Sequence, residues 1–169
     1  MSDLARRLGT ALVAIPVLIA VFFWAPPWAG VALIAAALAV GVSEFFGLLA
    51  ARGVRPMRRV GFVLAGAFFL DLAFPGSLGA PVAPLAVLLV LSFALSRGPD
   101  FESVSAAAAT LLGAVYVGAL GGTIAALRLL EPVEQGPWRI LMLLVVVMVS
   151  DTLAYFVGHA FGRRRLAPA

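Results

Sequence analysis

The sequence predicts an all-α fold: a polytopic, integral membrane bundle of about six transmembrane helices with both termini in the cytoplasm. Of its 169 residues 63% are apolar and 12% are charged, and the mean hydropathy is +1.11. Soluble domains have about 45–50% apolar and about 25% charged residues. A chain this short exposes too much surface to hide that apolar content from water. The composition therefore excludes a soluble globule, a disordered tail and a fibrous repeat.

The first 51 residues predict two helices joined by a proline turn. Residues 8–51 contain one charged side chain, Glu44, and a spanning helix needs about 20 apolar residues. Pro26 and Pro27 interrupt this run, because proline lacks a backbone N–H and clashes with the preceding turn. The sequence thus predicts helices over residues 8–24 and 28–51, with Trp24 and Trp28 beside the turn.

The remaining apolar runs predict four more helices. Clusters of proline, glycine and arginine separate them, and a polar linker over residues 128–139 precedes the last one. Asp100 or Ser103 is the expected N-cap of the fifth helix, because their side chains accept the free N–H groups of a first turn. The predicted helices cover residues 60–74, 81–96, 103–127 and 140–162. Together they form one transmembrane domain over residues 1–169.

Two pairs of glycines predict close helix contacts in the fifth and sixth helices. Gly118 and Gly122 are four residues apart, as are Gly158 and Gly162. Small residues at this spacing let helix backbones approach closely in lipid.

The placement of arginine predicts the orientation in the membrane. All twelve basic residues are arginine, and ten of them fall on one side of a six-span bundle. By the positive-inside rule that side is the cytoplasm. We therefore expect a multi-pass protein of the inner (plasma) membrane whose active face is cytoplasmic. The ten are Arg6, Arg7, Arg52, Arg55, Arg58, Arg59, Arg97, Arg163, Arg164 and Arg165, against Arg128 and Arg139 on the other side.

The charge pattern and the missing residue types exclude further classes. The net charge is +4, but the arginines do not form the basic, aromatic-interleaved surface of a nucleic-acid-binding protein, so nucleic acid is not an expected partner. The chain has no cysteine, which excludes disulfides and thiolate chemistry. The first apolar run is too long for a cleaved signal peptide.

Asp151 is the strongest candidate for chemistry. It has eleven uncharged residues on each side, so it is expected well inside the sixth helix. A carboxylate there must pair, take up a proton, bind a metal or face water. Tyr155 and Gly158 share its helix face. Neutralisation by an arginine from another helix and a role in a functional site both fit this pattern.

The other polar positions have more ordinary interpretations. Glu44 is expected to pair with Arg52 or Arg55 near the membrane surface. Asp71 is expected to cap the third helix or to be solvated at its external end. His159, the single histidine, is placed near the cytoplasmic mouth, where contact with a phosphate suits it better than a metal. The basic run after it suits both lipid anchoring and phosphate binding; it consists of Arg163, Arg164 and Arg165.

Residues 150–168 resemble the phosphatidate cytidylyltransferase (CDP-diacylglycerol synthase) family. In that family an Asp, an Ala-Tyr pair, a Gly, a Phe-Gly followed by basic residues, and a Leu-x-Pro recur in this order. Weaker similarity extends over residues 4–21 and 112–118. His159 departs from the pattern, since the family more often has Arg or Lys there. The matching residues are Asp151, Ala154-Tyr155, Gly158, Phe161-Gly162, Arg163 to Arg165, Leu166 and Pro168, with Glu44-Phe45-Phe46, Gly53 and Pro56 upstream.

The resemblance implies cytidylyl transfer from CTP to phosphatidate, giving CDP-diacylglycerol and pyrophosphate in phospholipid biosynthesis. It implies Mg²⁺ as cofactor, with Asp151 as the catalytic and metal-binding residue in a cavity open to the cytoplasm. Expected partners are CTP, phosphatidate and the bilayer, and a homodimer is a further expectation. The family continues past the matched segment with more catalytic and metal-binding groups, so we expect this chain alone to be inactive. The residues expected to hold phosphates are Tyr155, Arg163, Arg164 and Arg165.

Three alternatives stay open at this stage. The chain could be a non-catalytic membrane fragment or scaffold, or a CTP-dependent lipid or polyprenol kinase. It could also be a small transporter that moves protons or cations through Asp151 and Glu44, although no inverted repeat of the transporter kind is visible.

Overall fold

The structure is a computed structural model that describes residues 3–98 and 100–162, with side chains from residue 12 onward except Ala14. This part of the chain is helical with short connections and has no strand, which confirms the predicted all-α class. The helices are α1 (Asp3–Trp24), α2 (Pro27–Ala51), α3 (Arg58–Ala73), α4 (Val82–Arg97), α5 (Phe101–Gly113), α6 (Leu120–Leu129) and α7 (Gly136–Phe161), with a π-helical segment (Ala114–Ala119) and a 3₁₀ turn (Val133–Gln135) between them.

The helix ends follow from local sequence chemistry. Pro27 occupies the first turn of α2, where its missing N–H costs no hydrogen bond. Between α4 and α5 the chain turns at Gly98, whose φ of 125° is unfavourable for other residues. Asp100 then caps α5: its Oδ1 accepts the N–H of Ser103 at 2.6 Å. Of the two N-cap expectations, Asp100 is therefore confirmed.

The fifth predicted helix is longer than expected and is not uniformly α-helical. α5, the π-helical segment and α6 form one continuous rod from Phe101 to Leu129. The rod includes Arg128, which was predicted to begin a polar linker; instead it lies in the last turn of α6 and is buried.

The core is centred on α3, which packs against α2, α4 and the long rod. Close approach depends on glycine: a Cβ on Gly118 would lie 2.6 Å from the Ala65 backbone, and one on Gly122 would lie 2.9 Å from Phe69 O. This pair therefore packs as predicted. Gly158 differs, since a Cβ there would meet nothing within 4 Å.

Three helical stretches are long and apolar enough to cross a membrane, by length and composition. They are Pro27–Ala51, Phe101–Leu129 and Val133–Phe161, and shorter apolar helices cover Ile15–Trp24 and Val82–Arg97. A membrane protein follows from these helices, whereas the count of six spans and the side of the termini stay predictions.

α7 buries residues against the rest of the described chain only in its first turns, and a groove between it and α1 extends along it to Met148. Gly136, Pro137 and Ile140 are buried beside α1 and α6, but every residue from 144 to 162 is exposed. The helix thus leaves the bundle as a long apolar rod.

Candidate functional site

Asp151 lies on the exposed part of α7, about three turns before the end of that helix. Tyr155, one turn further on, is also exposed, at 70%. Its ring stacks on that of His159, with the centroids 6.2 Å apart and the planes 7° from parallel. These three side chains form a polar face on an otherwise apolar helix.

The cavity that was expected around Asp151 is not formed by the described residues. The groove between α1 and α7 extends along α7 as far as Met148, and Asp151, beyond it, is exposed. Within residues 3–98 and 100–162 there is no group of three His, Asp or Glu side chains that could hold a metal. Arg163, Arg164 and Arg165, expected beside the phosphates, lie outside the described residues.

The pairing expected for Glu44 is wrong for one of its two partners. Arg55 Nη1 lies 3.7 Å from Glu102 Oε1, and both side chains are largely exposed. Glu102 reaches Arg55 because the cap at Asp100 sets the first turn of α5 beside the loop between α2 and α3. Glu44 is exposed on α2, and Asp71 is half-buried in the last turns of α3.

Thr110 is a structural residue beside the arginine-rich loop that the sequence interpretation missed. It is fully buried; its Oγ1 donates to Ala106 O at 2.7 Å and accepts the N–H of Met57 at 2.9 Å. This side chain ties the arginine-rich loop between α2 and α3 to the last turn of α5. A hydroxyl directly after a run of four alanines was the available signal.

Two open grooves flank this loop, and they differ in charge. The paired groove, of about 460 Å³, is lined by Arg52, Gly53, Val54, Arg55, Phe101, Glu102 and Ser105. The basic groove, of about 510 Å³, is lined by Pro56, Met57, Arg58, Arg59, Val60, Phe93 and Arg97. The paired groove contains the Arg55–Glu102 ion pair. The basic groove has three arginines and no acidic side chain among its described lining residues.

Arg128 occupies the opposite end of the bundle and was also missed. It is 3% exposed, and its Nη2 and Nη1 donate to Phe22 O and Val133 O, each at 3.4 Å. Its Nε has no partner among the described residues. The side chain joins the end of α1 to the turn that starts α7.

Comparison with known proteins adds one match. A sequence model described as the cytidylyltransferase family matches residues 5–169. No curated protein and no solved structure matches the chain. The match includes α7 with Asp151 and both arginine-bearing ends of the bundle.

Proposed function

Since the chain belongs to the cytidylyltransferase family, we propose that it serves the transfer of a cytidylyl group from CTP to phosphatidate. In this reaction a phosphate oxygen of phosphatidate forms a bond to the α-phosphorus of CTP. The bond from that phosphorus to the pyrophosphate oxygen breaks, and the oxygen keeps the electron pair. The products are CDP-diacylglycerol and pyrophosphate. The family match over residues 5–169 is the observation that supports this proposal.

Asp151 is the residue we assign to the reacting phosphates. The described chain offers one carboxylate at this position, which suits Mg²⁺ bound mainly through substrate phosphates and does not suit a metal held by protein groups alone. When bound, Mg²⁺ would neutralise negative charge on the triphosphate. Tyr155, exposed on the same face, is placed to donate its hydroxyl hydrogen to a phosphate oxygen.

We propose a location in the inner membrane, with several spans and the active face towards the cytoplasm. Arg55, Arg58, Arg59 and Arg97 gather at one end of the bundle, and Arg128 lies at the other. This separation supports the positive-inside assignment of the first end to the cytoplasm.

We also propose that residues 1–169 alone do not turn over substrate. Charge neutralisation in nucleotidyl transfer needs more than one group, and among the described residues no second acidic or histidine ligand set joins Asp151. The missing groups would have to come from further chain or from a partner subunit.

The decisive experiment uses the protein expressed from its own gene, purified in detergent with phosphatidate, Mg²⁺ and CTP labelled on the α-phosphorus. We expect labelled CDP-diacylglycerol from the wild type and a loss of about 100-fold or more in kcat for Asp151→Asn. Asp71→Asn is the matched control, a carboxylate in a different helix, and should keep wild-type turnover. Residues 1–169 alone should give no labelled lipid.

Each other result has a definite meaning. Near-normal turnover by Asp151→Asn would remove that residue from the site. A wild-type protein that labels lipid from γ-labelled and not from α-labelled CTP would be a kinase, and one that labels lipid from neither would not be a CTP-dependent lipid enzyme.

A further inference from the structure

We propose that the basic groove binds the headgroup of an anionic glycerophospholipid, at a site separate from Asp151. Arg58, Arg59 and Arg97 line this groove. Its volume of about 510 Å³ lies within the range of about 300–1,000 Å³ typical of small-molecule sites. Arginine presents a planar fork that matches the oxygens of a phosphate.

The neighbouring grooves show why the charge here is available. Arg55 is paired with Glu102, so the paired groove neutralises part of its own charge. Asp100 and Glu102 line a third groove together with Arg97, but no ion pair joins either acid to Arg97 among the described side chains. The lining of the basic groove itself contains no acidic side chain among the described residues.

Two contacts fix the groove's shape before any ligand binds. The Arg97 guanidinium lies 4.7 Å from the centroid of the Phe93 ring, which orients it by a cation–π contact. On the other wall, the Met57 N–H is held by buried Thr110. Ordering in the free protein lowers the entropy lost on binding.

The apolar wall distinguishes a lipid from a free phosphate. Val60 and Phe93 line the groove below the arginines. One turn further along the same helix faces, Val63 on α3 and Leu89 on α4 are exposed. An acyl chain can continue along these side chains while its phosphate stays at the arginines, whereas inorganic phosphate or CTP would leave the wall unused.

The start of α3 adds to the attraction. Arg58 is the first residue of this helix of 16 residues, and the N–H groups of a first turn have no helical acceptor and carry partial positive charge. Arg59 and Val60, in that turn, both line the groove.

The test measures lipid binding and does not depend on turnover. The purified chain in neutral detergent is titrated with dioctanoyl phosphatidylglycerol, and bound lipid is counted by native mass spectrometry. We expect Arg59→Gln with Arg97→Gln to weaken binding about 30-fold, the effect of losing two arginine contacts to an anionic lipid surface. The matched control, Arg52→Gln with Arg55→Gln, removes the same charge from the same end and should weaken binding less than about 3-fold.

Several outcomes would overturn the proposal. Equal losses in the two double variants would indicate general surface attraction, and no loss in either would remove the site. Equal binding of dioctanoyl phosphatidylcholine would show that negative charge is not recognised. Displacement of the lipid by inorganic phosphate or CTP at comparable concentrations would show that the apolar wall contributes nothing. Because the substituted arginines are exposed, thermal unfolding should be unchanged and serves as the folding control. A chain that binds lipid without cytidylyl transfer would contradict the proposed function and leave this site intact.

Discussion

At the end of the bundle where α6 leads to α7, Arg128 is 3% exposed and donates to backbone carbonyls. At the other end, Arg58, Arg59 and Arg97 surround an open groove. Burying a guanidinium costs free energy, and the two hydrogen bonds that Arg128 donates to backbone carbonyls offset part of this cost while they join α1 to the turn before α7. The exposed arginines pay no such desolvation cost and remain able to bind a ligand. The same residue type thus joins helices at one end and is free for recognition at the other.

The largest effect is expected from Arg128→Ala, which tests whether the buried arginine is structural. We expect a loss of about 3 kcal/mol in the free energy of unfolding, because the substitution leaves a cavity and deprives two carbonyls of their donor. Chemical unfolding in detergent micelles measures it, and Arg58→Ala should change stability by less than about 0.5 kcal/mol. Arg128→Met keeps much of the volume; if it were as stable as the wild type, the guanidinium would not be needed to join these helices.

A second substitution tests the packed core between the two ends. Gly118→Val should destabilise the protein by about 2 kcal/mol, because overpacking forces α3 away from the rod. The clash is with backbone, at 2.6 Å from Ala65, so no side-chain rotation relieves it. Gly158→Val, on the exposed part of α7, is the control and should be neutral by the same unfolding measurement; equal effects would contradict the packing described.

Thr110→Val tests the tie between the core and the arginine-rich loop. The substitution removes the oxygen that accepts the buried N–H of Met57 but keeps the shape of the side chain. We expect the free energy of unfolding to fall by about 1–2 kcal/mol. Thr123→Val is the control, since that exposed hydroxyl bonds within its own helix to Leu120 O at 2.7 Å. Amide hydrogen exchange should rise at Met57 in the first variant and stay unchanged in the second. Unchanged exchange in both would mean that Thr110 does not hold the loop.

The smallest expected effect concerns pH at the groove end. The hydrogen bond from the Ser103 N–H lowers the pKa of Asp100 from its ordinary value of 3.8. A carboxyl pKa that is lower in the folded state stabilises the fold above the unfolded value, and this contribution is lost as the pH falls through the folded pKa. Unfolding followed between pH 6 and about pH 2.5 should therefore show a small loss below pH 4 in the wild type. Asp100→Asn keeps the oxygen that caps the helix and should remove this pH dependence of the free energy of unfolding. If the pH dependence were unchanged, it would come from another group.

Local chemistry made much of the fold predictable. The break at Pro26 and Pro27 and the cap at Asp100 depend on neighbouring residues, so the sequence alone identified them. The ion pair of Arg55 was assigned to the wrong acid, because Glu102 is distant in sequence and reaches the loop only after α5 packs. Arg128 looked like a solvated linker residue, since its burial depends on the end of α1, over a hundred residues earlier.

The sequence alone identified the main residue of the candidate site but not the structure that surrounds it. An acid in the middle of an apolar run identified Asp151 without any structure. The cavity expected around it depends on how distant elements pack, and in the described part of the chain Asp151 is exposed. The stacking of Tyr155 on His159, by contrast, follows directly from their spacing of four on one helix.

The π-helical segment gives the long rod one place where its length can change. A π turn accommodates one more residue than the α turn it replaces, so Ala114–Ala119 holds an extra residue while the helices on either side stay in phase. Deleting one residue there would return the segment to α-helical geometry and leave α6 in place. Deleting one residue within α6 would instead rotate everything after it by about 100°, and Arg128 would turn away from Phe22. Natural variants of this protein should accordingly tolerate the loss of a residue in the π-helical segment more readily than in α6.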